Sequence, residues 1–124
     1  MKPSTLLNLF AASTLALLVA CKKGEPAADA SVPLQESFQT AAPEVQQAVQ
    51  QVTTSLKAGN YQQATRTLAP VVDGRPLTDA QRHAVGVALQ QINQAIATDP
   101  QLDTREMYEL RAKMFRAVDS GPRF

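Results

Sequence analysis

Beyond residue 42, apolar side chains recur at intervals of three and four. Val45, Ala48, Val49, Val52 and Leu56 fall on one face of a first predicted helix. Pro43 suits its first position, Glu44 favours the positive end of the helix dipole, and Gly59 supplies the stop. A second stripe of Tyr61, Ala64, Leu68, Val71 and Val72 follows Asn60, which is placed to cap it with Gln63 three residues on. Pro70 inside that stripe predicts a kink, or an end near Ala69, because it lacks the N–H of the helix ladder. Asp73-Gly74-Arg75-Pro76 reads as a turn, after which Thr78 and Gln81 form a capping box for a third helix. That helix carries Val85, Ala88, Leu89, Ile92, Ala95 and Ile96 and ends at Asp99-Pro100, giving a rod of ~30 Å. Asp103 and Glu106 offer a capping box for a fourth helix bearing Met107, Leu110, Met114 and Val118, closed by Ser120-Gly121-Pro122. No segment alternates with β-branched enrichment. The expected fold is all-α: about four antiparallel helices joined by short loops over residues 43–119, with 120–124 as a tail.

The N-terminus follows a different logic. Lys2 precedes an apolar run from Leu6 to Ala20 that is broken by Asn8, Ser13 and Thr14. This has the layout of a secretory signal and falls short of the ~20 apolar residues of a membrane span. The run closes on Leu18-Val19-Ala20-Cys21, which resembles the lipobox of bacterial lipoproteins. The resemblance implies cleavage between Ala20 and Cys21, a diacylglyceryl group on the Cys21 thiol and acylation of the new N-terminus. Residues 1–20 are then a removed signal. Two or three acyl chains give a stable anchor, each buried methylene contributing ~0.8 kcal/mol. By the same resemblance, Lys22 after the cysteine, in place of an aspartate, points to the outer rather than the inner membrane, facing the periplasm. Residues 21–42 are rich in Ala, Pro, Ser and Gly and read as the lipidated N-terminus and a flexible linker. Within it Leu34, Phe38 and Ala41 have the spacing of one or two helical turns that dock on the domain.

The run Gly59-Asn60-Tyr61-Gln62-Gln63-Ala64, followed by Leu68, Val71 and Pro76, is similar to the turn and second helix of a tetratricopeptide repeat. A second partial copy in Ala88, Ile92, Ala95 and Pro100 is offset by 24 residues rather than the repeat's 34, and Val52 and Ser55 stand where the repeat has its glycine and tyrosine. The resemblance therefore implies one tetratricopeptide-like hairpin over residues 45–76.

Composition narrows the chemistry. Twelve Lys and Arg against eleven Asp and Glu become an even balance once Lys2 is cleaved away, which lacks the basic footprint of a nucleic-acid binder. One Cys and one His cannot complete a zinc site or an internal disulfide, so no metal or cofactor is expected. His83, with Asp79 one turn before it, has only Ser55 as a nucleophile within plausible reach, so an enzyme is not expected and a hydrolase built on His83 is the remotest alternative. Glutamines at 46, 47, 50, 51, 62, 63, 90, 91 and 94 read as solvated helix faces. The fourth helix stands apart. Arg105, Arg111, Lys113 and Arg116 are interleaved with Met107, Tyr108, Met114 and Phe115, residue types enriched at interface cores. Met107, Tyr108, Arg111, Met114 and Phe115 are the candidate partner-binding residues. The expected function is a lipid-anchored helical module of the cell envelope that holds or escorts another protein, an analogy of architecture with pilotin-type lipoproteins. A small-ligand or peptidoglycan-facing binding lipoprotein is the alternative. Finally, Gly86 inside the third helix, between the small Ala84 and Ala88, predicts a close approach by another helix.

Overall fold

A computed structural model describes residues 29–121. The signal, the lipobox and Cys21 lie outside the described residues. The protein is all-α: α1 (Ser31–Ser37), α2 (Pro43–Lys57), α3 (Tyr61–Val72), α4 (Asp79–Thr98), a 3-10 turn (Pro100–Leu102) and α5 (Arg105–Asp119), with no strand among the described residues.

The helices close a ring. α1 packs on α2 and α4, α2 on α3, α3 on α5, and α5 on α4, whereas α3 and α4 barely touch. Consecutive helices are therefore not always neighbours. The connection after α3 carries the chain away, and α5 returns between α3 and α4. Inside the ring Leu34, Val52, Leu68, Val72, Val85, Ile92, Met107 and Met114 are fully buried.

The helical turns expected to dock at Leu34, Phe38 and Ala41 are present as α1 and the turn after it, so the packed part of the chain starts at Ala30, before residue 43. A seven-residue helix does not stand alone in water, so α1 is held by what it touches. Ala30, Leu34 and Phe38, one helical turn apart, bury 97–100% of their surface. Polar contacts fix its ends. The Ala30 N–H donates to Gln91 Oε1 at 2.9 Å, a buried bond to α4, and the Ser31 N–H donates to Asp29 Oδ1 at 3.0 Å. The same Ser31 N–H holds the Asp29 carboxyl below its ordinary pKa. At the other end Gln81 Nε2 donates to the Ser37 carbonyl at 3.1 Å.

The predicted punctuation is largely present. Pro43 starts α2, Asn60 accepts from the Gln63 N–H at 3.2 Å, and Thr78 and Gln81 make both halves of the capping box. Gly59, at φ 76°, provides the left-handed turn between α2 and α3 that a side chain would strain. Of the two outcomes open at Pro70, the early end near Ala69 does not occur, and the expected cap of α5 changes. α3 runs through Pro70 to Val72 because Ala69 and Val72 are both fully buried, while Pro70 and Arg66 share the exposed face where water can satisfy the freed carbonyl. The cap of α5 is Thr104, whose hydroxyl accepts from the Met107 N–H at 3.1 Å, and not Asp103. Glu106 is consequently free to cross to α3. It pairs side by side with Arg66, Nε to Oε2 at 2.9 Å and Nη2 to Oε1 at 2.8 Å, and accepts from Gln62 Nε2 at 3.3 Å.

Candidate functional site

The five candidate residues of the last helix separate into two sets. Met107 and Met114, seven residues apart, have no exposed surface and belong to the core, not to a partner face. Their neighbours Tyr108 and Phe115 share that spacing turned by one residue, about 100° around the helix, and are 66% and 59% exposed. A one-residue offset thus decides which pair the ring buries. Arg111 lies beside the exposed pair. Its Nη1 donates to Asn93 Oδ1 at 2.8 Å, its Nε donates to the Met107 carbonyl at 3.3 Å, and its Nη2 lies 3.6 Å from Asp103 Oδ1. The guanidinium is a clamp between α4, α5 and the turn joining them.

Tyr108, Arg111, Ala112, Phe115 and Arg116 of α5 and Leu89 and Asn93 of α4 line an open groove of about 390 Å³. Leu89 and Asn93, one turn apart on α4, supply the opposite wall and were not singled out by the sequence. Leu89 sits in the apolar stripe of α4, and its place at the stripe's edge leaves it only partly covered. One charge-assisted bond, from Arg111 to Asn93, joins the two walls of the groove.

A second open groove, of about 460 Å³, lies across α2 and α3 and is lined by Gln47, Gln50, Gln51, Thr54, Ser55 and Gln63, all uncharged amides and hydroxyls. These are the solvated glutamines of the sequence pattern. Gln91 is the exception, since it is buried in the α4 stripe and holds α1. Its position three residues after Ala88 and one before Ile92 was the available signal.

His83 is exposed near the start of α4. Its expected partner Asp79 instead pairs with Arg82, whose Nη1 also donates to the Leu77 carbonyl at 2.7 Å. Ser55 lies near the far end of α2, while the α4 start is tied by Gln81 to Ser37, near the beginning of α2, so the fold separates Ser55 and His83. Among the described residues no three His, Cys, Asp or Glu side chains converge as metal ligands, and no helix is long and apolar enough to cross a membrane. The close approach expected at Gly86 is not there: a Cβ built on it meets no atom within 4 Å. No family model matches the chain, and no curated protein or solved structure is significantly similar to it.

Proposed function

We propose that the chain is a lipid-anchored interaction module of the cell envelope, tethered through Cys21, facing the periplasm from the outer membrane, and serving to hold or escort another envelope protein. The observation that supports an interaction role is the exposure of Tyr108 and Phe115 on the groove between α4 and α5. Two large exposed rings on one small helical surface are what contact faces carry, toward a protein or toward lipid. Lys22 and Lys23 directly after the lipobox cysteine suit a chain end held at anionic headgroups. The α2–α3 hairpin with its Gly59 turn is the part similar to a tetratricopeptide unit, and its neutral groove is a second contact surface. Photo-crosslinkers placed at Phe115 and at Gln51 in living cells test the module. A defined adduct from at least one position is the expected result, and no adduct from either while the protein is folded and at the membrane overturns it.

A further inference from the structure

The two grooves lie on edges of the ring that share no helix, one between α2 and α3 and the other between α4 and α5. Only the second combines aromatic rings with cations. On the premise that Cys21 is lipidated as proposed above, we infer that the α4–α5 face, with Tyr108, Phe115 and Arg116, rests on the surface of the bilayer that holds the anchor, which leaves the α2–α3 face for a protein partner.

Tether length carries the first part of the argument. Asp29 follows Cys21 by eight positions, so the chain between them spans at most about 28 Å even when fully extended. The linker is short because α1 is part of the domain. Its entry point is also fixed, since the Ala30 N–H is bonded to Gln91 in the middle of α4. Leu89 and Asn93, which wall the groove, stand two residues to either side of Gln91, about 3 Å along the helix axis. The chain therefore enters at the height of the groove, on the other side of a helix ~10–12 Å across. A domain anchored there keeps this face within reach of the headgroups.

Side-chain chemistry carries the second part. Tyr108 and Phe115 are two turns apart, about 10.5 Å, on one exposed line of α5, with the small Ala112 between them. Aromatic rings settle at the membrane–water interface, and an exposed arginine beside them meets lipid phosphate. Of the acids on this helix, Glu109 is engaged by Arg105 and Glu106 by Arg66, and Asp119 stands one turn after Arg116 at the helix end. The α2–α3 groove offers neither rings nor charge. Two rings and an arginine are too little to hold a free protein on a membrane. On a tethered one the contact is intramolecular, and the high effective concentration makes it sufficient to orient the domain.

The chain has no tryptophan, so single-tryptophan variants report the orientation directly. Lipidated Phe115→Trp and Gln51→Trp proteins, both checked for wild-type helicity, are reconstituted into phosphatidylethanolamine vesicles containing a minority of phosphatidylglycerol. Their emission is compared with and without bromine-labelled acyl chains. A blue shift and quenching at position 115, with position 51 unchanged, is the expected result, and Arg116→Glu should reduce the shift. Equal behaviour at the two positions, or water-exposed emission from 115 on protein that floats with the vesicles, overturns the orientation while leaving the anchor intact. Protein that fails to float overturns the anchor and the inference with it. A protein adduct, and no lipid adduct, from a crosslinker at Phe115 in cells assigns the groove to a protein instead.

Discussion

Gly86 and Pro70 are the two residues that a helix interior ordinarily resists, and each is tolerated on a surface that nothing covers. Both predict stabilisation on replacement. Gly86→Ala adds a methyl into open space and should raise unfolding free energy by about 0.5–1 kcal/mol, read by urea denaturation. A loss instead would mean that a neighbour does meet the new side chain. Pro70→Ala restores the N–H one turn after Arg66 and should give about 1–3 kcal/mol, less whatever the proline contributes by restricting the unfolded chain. The Arg66–Glu106 pair sets a pH dependence of known sign. Hydrogen bonding by Arg66 holds the Glu106 carboxyl below its ordinary pKa and raises the guanidinium's. A carboxyl depressed in the folded state contributes stability that is present above its unfolded pKa, near 4.3, and is lost as pH falls through the lower folded value. Glu106→Gln should therefore differ from wild type at neutral pH, and the difference should vanish in acid. The exposed position of both groups also makes it shrink in high salt.

At the scale of elements, the four long helices were legible because each carries a stripe of three-and-four spacing bounded by its own cap or stop, such as Thr78–Gln81 or Gly59. What escaped depended on contacts between elements. The turns of α1 were legible in the Leu34–Phe38 spacing but what holds them was not: α1 packs on both α2 and α4, and the Ala30 N–H bonds to Gln91, 61 residues away. The α5 cap is Thr104 and not Asp103, and the glutamate expected to complete the box at Asp103, Glu106, pairs across the ring with Arg66 of α3. The α5 face was legible only in composition. Which of its large residues are buried depends on where α3 and α4 sit around it, and local sequence does not specify that. Leu34→Ala tests the status of α1. As a fully buried side chain in the ring it should cost about 2–5 kcal/mol, whereas a side chain on a loose tether would cost nothing measurable. Gln91→Ala should weaken the same contact by leaving the buried Ala30 N–H without an acceptor, costing about 1–3 kcal/mol.

For the molecule as a whole, α1 closes the ring between α2 and α4, and on the proposed reading of Cys21 it is also the end of the lipid tether, so that stability and membrane placement would share one short element. A protein with α1 loosened should therefore lose its orientation at the membrane as well as its stability. All of this rests on Cys21, and the measurement that addresses it most directly is the intact mass of protein extracted from membranes of a bacterium that processes lipoproteins. The account predicts a chain beginning at residue 21 that carries the added mass of two or three acyl groups, and a Cys21→Ser variant that lacks them and leaves the membrane fraction. An unmodified chain, or one cut at any other residue, would contradict it.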